Sequence, residues 1–294
     1  MRKTALLFFI LSALSTKANV DPQPGERSPM TALPGRFGIL LGGAQNEATG
    51  STFTWQQMTL TGGYAIRKEL TSDLTFFTGL NYRYTHIDQG RIPTRDRLGD
   101  LHDFILPLTL NYQADDSRWS FFAQVSGQLA TDFSSVTSDD LDWTFRIGGN
   151  YQFSEHLSIN FGVARVRNFA DTFILPAVGV VWEPCDDWAF TLVGPRITLS
   201  HRVCDNIILR AGGFPTGGLW NVESDDSESI DYGLASYNVG AGIDYKLRRG
   251  IWLTLWAGTN FTNTFRAEQN GDTLFEDDLN PGWFAYLGLN IYEW

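Results

Sequence analysis

The chain has 294 residues, is 43% hydrophobic and 14% aromatic, and carries a net charge of −11. That acidity excludes a nucleic-acid binder, because holding phosphate needs clustered Lys and Arg. Beyond the N-terminus no apolar run approaches the ~20 residues of a membrane helix, so any crossing of a bilayer must be made by strands.

The first segment reads as a signal peptide. Arg2 and Lys3 form a positive n-region, residues 5–14 an apolar core, and Thr16 and Ala18 the small residues before a cleavage site after Ala18. Loss of Arg2, Lys3 and Lys17 would leave 19 basic residues against 33 acidic ones, a net −14. Residues 19–34 carry Pro22, Pro24, Pro29 and Pro34 and are expected to be an extended periplasmic linker. Residues 35–294 then read as one domain.

From residue 35 onward the dominant signal has period two. Leu74, Phe76, Leu80, Tyr82 and Tyr84 alternate with Thr75, Gly79, Asn81 and Arg83. Leu141, Trp143, Phe145, Ile147 and Tyr151 alternate with Asp142, Thr144, Arg146 and Asn150, and Tyr237, Val239, Ala241 and Ile243 with Asn238, Gly240, Gly242 and Asp244. Each run has one greasy face and one polar or small face. A soluble sandwich also alternates, but these runs are long, whereas globular strands average ~5–6 residues and a tilted membrane strand needs ~9–11.

The predicted strands, in order, are 35–45, 53–66, 74–86, 102–113, 118–130, 141–153, 157–167, 172–183, 186–194, 195–203, 207–220, 232–247, 251–263 and 282–294. Their connections alternate between tight (115–117, 154–156, 184–187, 204–206, 248–250) and long (87–100, 131–140, 222–231, 266–281). Short periplasmic turns opposite longer outer loops, with an even strand number, describe a transmembrane antiparallel up-and-down β-barrel of about 14 strands; twelve is the alternative. Aromatics bracket the tight turns: Tyr112 and Trp119, Tyr151 and Phe153, Trp182 and Trp188, Tyr245 and Trp252. That is the expected inner girdle, with Trp143, Trp220, Tyr232, Phe261 and Trp283 expected in the outer one.

Gly194 and Pro195 read as a two-residue loop. Phe190 then faces Leu199, Leu192 faces Ile197, and Thr191 faces Thr198, like against like. The same register sets Cys185 opposite Cys204, and an oxidising compartment favours a disulfide there; two unpaired thiols at neighbouring turns are the alternative.

Residues 188–202, WAFTLVGPRITLSHR, followed by the polar turn Cys204, Asp205 and Asn206 and by residues 207–213, resemble a bacterial outer-membrane barrel family known as domain of unknown function 6268. The resemblance implies a barrel in the outer membrane and implies no activity. The terminal Trp294, with Tyr292 and Tyr286, is similar to the signal read by the barrel assembly machinery. Asn290 and Gly288 depart from that signal, and Ala285, Leu287, Leu289 and Ile291 occupy the other parity.

The lumen-lining set expected from alternation is Asn81, Arg83, Asn111, Gln124, Gln128, Arg146, Asn150, Gln152, Arg210, Asn238, Asp244 and Lys246. A lumen with both charge signs suits a passive pore for small polar solutes; side chains that close it on themselves would instead make a structural or surface-recognition barrel. A third reading, a barrel-embedded hydrolase, rests on His86 and His102 with Asp88, Asp100 and Asp103, but no nucleophile motif marks them, and the chain is expected not to be an enzyme. Acidic residues 223, 225, 226, 228 and 231, and 268, 272 and 276–278, could attract divalent ions that bridge lipopolysaccharide, but their spacing is not that of a dedicated calcium loop, so neither metal nor cofactor is expected. The expected surroundings are outer-membrane lipid and lipopolysaccharide, and the expected state is a monomer.

Overall fold

The computed structural model describes residues 35–46, 53–89, 100–114, 116–134, 136–168, 171–223, 229–248 and 250–291. The proposed signal peptide, the linker, Asp115, Asp225, Asp226, Glu228, Tyr292 and Trp294 lie outside the described residues. The elements are β1 (Gly35–Asn46), β2 (Phe53–Glu69), β3 (Leu74–Gln89), β4 (Asp100–Tyr112), β5 (Trp119–Thr131), a 3-10 turn η1 (Ser138–Asp140), β6 (Leu141–Ser154), β7 (Leu157–Asn168), β8 (Asp171–Cys185), β9 (Trp188–Val193), β10 (Arg196–Cys204), β11 (Ile207–Glu223), β12 (Ser229–Arg248), β13 (Ile251–Gln269), β14 (Asp272–Leu279) and β15 (Gly282–Ile291).

Each strand from β1 to β13 pairs antiparallel with the next. β13 then pairs with β15 from Ile251–Ile291 to Asn260–Gly282, and β15 pairs with β1 from Gly35–Ile291 to Gly43–Trp283. The ring therefore closes, and the wall consists of β1 to β13 plus β15, the fourteen strands expected. β14 stands outside the ring. It pairs with the upper end of β13, from Asn263–Leu279 to Gln269–Asp272, so the long connection expected over 266–281 is a β-hairpin rising from the rim.

Alternation sorts the side chains as the sequence pattern requires. Large apolar residues stay exposed on one face of wall strands whose side chains are described: Phe37 and Leu41, Leu106 and Leu110, Phe121 and Val125, Trp143 and Ile147, Ile174 and Val178, Leu287 and Leu289. Exposed apolar surface that recurs at every second residue around a closed ring is a lipid-facing band, and it places the barrel in the outer membrane. The other parity faces the lumen, where Asn150, Asn160, Asn238, Asp244 and Asn290 are buried. This explains the departures in the last strand. Gly288 and Asn290 are lumen positions, and the ring of Tyr286 lies over Gly38 and Gly288, where a Cβ would come within 2.4 and 2.2 Å of its hydroxyl. Bare glycines let one aromatic cover the β1–β15 junction from inside.

The β9–β10 hairpin has the expected register, with Phe190 opposite Leu199, Thr191 opposite Thr198 and Leu192 opposite Ile197. The disulfide does not follow. The ladder ends at His201–Trp188, and the chain has already turned at Asp186 and Asp187, so Cys185 belongs to β8, opposite Trp188. Cys204 faces Ile207 at the next turn. Two strand spacings of ~4.8 Å separate such positions, beyond disulfide reach. Both thiols are free and exposed.

Two outcomes are expected from this arrangement. A water-soluble maleimide should modify both cysteines of the folded protein without prior reduction. Val239→Arg, on the lipid face near the middle of β12, should cost about 2–4 kcal/mol in urea unfolding from lipid vesicles.

Candidate functional site: a cross-lumen constriction

The lumen is not uniform along its axis. Toward the tight turns, polar side chains pair along the wall. Arg210 donates through Nε to Asp244 Oδ2 at 2.6 Å, Asn150 donates to Asn160 at 2.9 Å, and Gln124 donates to the Thr109 hydroxyl at 2.9 Å. Asn238 donates to Thr216 at 3.1 Å, and Asn290 to Thr254 at 2.6 Å. Nearest the turns the Lys246 ammonium lies 5.4 Å from the Trp252 ring centroid, and Gln152 donates to the Ser154 carbonyl at 2.5 Å. Asn81, Asn111 and Arg146 share the lumen parity of β3, β4 and β6.

In the upper lumen, opposite walls meet. Asp103, on β4, is 0% exposed. Its Oδ2 accepts from Arg83 Nε at 2.8 Å and Nη2 at 2.7 Å, and its Oδ1 accepts from Gln128 Nε2 at 2.6 Å. Arg83 and Gln128 stand on the flanking strands β3 and β5. The remaining contacts come from across the barrel. Trp220 of β11 donates its indole N–H to Asp103 Oδ2 at 3.1 Å, and Arg83 Nη1 donates to the Gly217 carbonyl at 2.8 Å. The Arg83 guanidinium also lies 5.8 Å from the Trp220 ring centroid. Higher still, Asn221 of β11 bridges in parallel to Thr131 of β5.

Local backbone makes this approach possible. Gly217 has a φ of 131°, and a Cβ there would lie 1.9 Å from the Leu234 carbonyl oxygen. Only glycine accepts that conformation, and it leaves the Gly217 carbonyl open to Arg83. Gly218 has no side chain to obstruct the Trp220 ring, which would otherwise meet a Cβ at 2.3 Å. Above the polar junction sits an apolar plug. Leu101 and Ala130 from one wall pack with Trp220, Val222, Ile230, Tyr232, Leu234, Phe265 and Ala267 from the other. An irregularity between Ala235 and Tyr237 in the β12–β13 ladder brings Phe265 and Ala267 opposite Leu234 and Tyr232, on the inner face.

Several sequence expectations change here. Trp220 and Tyr232 are not girdle residues; each is 1% exposed and inside the barrel, whereas Trp143 and Trp283 do sit on the outer face. Asp103 is a lumen residue, on the opposite face of β4 from His102. Of the residues in the hydrolase reading, His86, Asp100 and His102 share the outer face, and Asp103 alone of the described side chains turns away from them. His86 contacts Asp100 at 2.9 Å, His102 contacts the Tyr82 hydroxyl at 2.9 Å, and Asp103 points inward. The acidic residues of the last long connection engage their own hairpin, through Arg266 with Glu268 and Glu276 and through Thr264 with Asp278. Among the described residues no cluster of His, Cys, Asp and Glu could hold a metal ion.

A family model described as a domain of unknown function, DUF6268, matches residues 44–292. The chain belongs to that family. Comparison with curated proteins finds no match. Among solved structures the chain is similar to an outer membrane channel from Pseudomonas putida F1, at 11% identity over 92% of this chain and 100% of the other, with a TM-score of 0.44. It is also similar to the translocator domain of the autotransporter NalP from Neisseria meningitidis (11% identity, 99% of this chain and 98% of the other, TM-score 0.36). A third is the toluene transporter TbuX from Ralstonia pickettii (10% identity, 90% and 91%, TM-score 0.37).

Asp103→Ala should be among the most damaging single changes in this family member. It strands the buried Arg83 charge and two further donors, and should cost about 3–5 kcal/mol in urea unfolding. Asp103→Asn, which keeps one oxygen acceptor, should cost less.

Proposed function

We propose that the protein is a passive outer-membrane pore for small polar solutes whose outer mouth is held shut by the Asp103 junction and the plug above it. One observation carries this reading. Among the described residues, the contacts that join opposite walls through Asp103, Trp220, Arg83 and Gly217 lie at the upper end of the lumen, while lower down polar and charged side chains pair along the wall, as in Arg210 with Asp244. A wall of fourteen strands is wide enough to leave an aqueous path when nothing spans it. Such a barrel needs no catalytic group, and we take the protein not to be an enzyme. We take it to work as a monomer in lipid and lipopolysaccharide, delivered through its last strand to the assembly machinery.

A second reading, a structural or surface-recognition barrel with no open channel, is favoured by the dry packing of Leu101 and Ala130 against Trp220, Val222 and Tyr232. Planar-bilayer conductance separates the two. A pore held shut should conduct weakly as purified, and Trp220→Ala should raise both the conductance and the frequency of openings, since it removes the indole from plug and junction alike. If wild type and Trp220→Ala are both silent while the variant remains folded by heat-modifiable gel mobility, the structural reading stands instead.

A further inference from the structure

The charge of the lumen has the opposite sign to the charge of the chain. The whole protein carries a net −11. Yet above Lys246 and below the Asp103 junction, the charged side chains on the inward parity, among the described residues, are Arg146, Arg196, Arg210 and Asp244. Arg146 lies between Gln124 and Ala164 of the adjacent strands, and Ala164 is buried while Ile147 beside it is exposed on the lipid face. The Arg196 guanidinium lies 5.7 Å from the ring centroid of Phe214, which itself meets the buried Phe284 inside the barrel, and the neighbouring Ile197 is exposed on the lipid face.

Arg210 and Asp244 cancel one another through the 2.6 Å bond between them. Arg146 and Arg196 are therefore the excess charge of the described wall at this level. Both make contacts within the wall, but the ladder positions beside them are neutral: Gln124 and Ala164 flank Arg146, and Val193 faces Arg196. A neutral hydrogen bond or an aromatic ring leaves a guanidinium its charge, and arginine stays protonated at any working pH. Nearer the rim the signs are mixed, as in Arg202 with Asp187 at 3.1 Å, so the excess belongs to the middle of the lumen.

The two arginines act on the same solute. Arg146 and Arg196 stand on β6 and β10 at matching heights, counted from the inner ends of those strands at Ser154 and Cys204. Strands spaced ~4.8 Å apart and tilted ~40° make a fourteen-strand wall roughly 28 Å across at the backbone. A guanidinium projecting from that wall lies within about one Debye length, ~8 Å at physiological salt, of a solute on the axis. The single sheet is backed by hydrocarbon, so the field of an inward charge is focused along the lumen instead of spreading through the wall. Inward arginines are the usual means by which a pore prefers anions.

We propose that the lumen below the Asp103 junction is an anion-selective vestibule open to the periplasm, that Arg146 and Arg196 set its sign, and that the solutes it admits are small anions such as carboxylates. Their passage across the membrane rests on the pore reading; the vestibule does not. In a Cys185→Ser, Cys204→Ser background, Thr198→Cys places a thiol on the inward parity of β10, opposite the buried Thr191. In detergent micelles it is treated with sulfonatoethyl or trimethylammonioethyl methanethiosulfonate, probes of similar size and opposite charge, and each rate is divided by that for free cysteine. Heat-modifiable gel mobility reports the fold. At low salt the anionic reagent should be favoured several-fold. The preference should fade in ~1 M KCl, where the Debye length falls to ~3 Å, and in Arg146→Gln and Arg196→Gln. No preference for the anion at low salt, or a thiol that neither reagent reaches, would overturn the vestibule. Zero-current potentials of Trp220→Ala in a KCl gradient test passage separately, and chloride should be favoured over potassium several-fold, less so with Arg146→Gln added. A preference for potassium would overturn the solute class. Silence of Trp220→Ala together with anion-favoured thiol rates would sink the pore reading and support the vestibule.

Discussion

Inside a bilayer no water is available to satisfy backbone N–H and C=O groups, so a sheet that crosses it must close. Everything else in this structure depends on the β1–β15 ladder that meets that requirement, running from Gly35–Ile291 to Gly43–Trp283. Closure sets the two faces of every strand, and with them which residues meet lipid and which meet the lumen. It also explains why Tyr286 lies against two glycines at that junction. The ladder brings the first and last strands of the wall together, and a ring that covers the joint from inside needs backbone without side chains beneath it.

The lumen shows what closure leaves undecided. A ring of fourteen strands encloses more space than wall side chains fill, and the upper wall resolves this by leaning inward. β11 can do so because above Gly213 it has lost β10 as a neighbour. Above that point it carries the Gly217 carbonyl to Arg83 and Asn221 to Thr131. The short β9–β10 hairpin and the constriction are thus one architectural event seen from two sides. A full-length pair of strands there would hold β11 upright, keep it away from Asp103 and leave the mouth without its Trp220 donor.

Much of the wall was legible in the sequence because the physics that forms it is local and repetitive. Alternation marked the strands, tight turns between aromatics marked the inner rim, and the run from Trp188 to Arg202 contained its own hairpin register. The disulfide failed for a reason also local in origin. Facing numbers in a hairpin mean facing residues only while the pairing lasts, and its last bond is Arg202 N–H to the Asp187 carbonyl; the turn at Asp186 then carries Cys185 into β8. The aromatics failed differently. Trp220 and Tyr232 have the composition and position of girdle residues, and only parity counted through the whole of β11 and β12, with the ladder between them, turns them inward.

The sequence by itself therefore determined the class of structure, the number of strands in the wall, the lipid-facing band and the polar character of the lower lumen. Each follows from side-chain period and turn chemistry read along one strand or one hairpin. The tertiary structure alone decided that Asp103 sits beneath Trp220, that Leu101 meets Val222 and Tyr232, and that the ladders of β9 and β10 with their neighbours end at Gly179 and Gly213. Those contacts join strands far apart in the chain and on opposite walls. Their geometry depends on how the ring closes and where one hairpin stops, which no local pattern records.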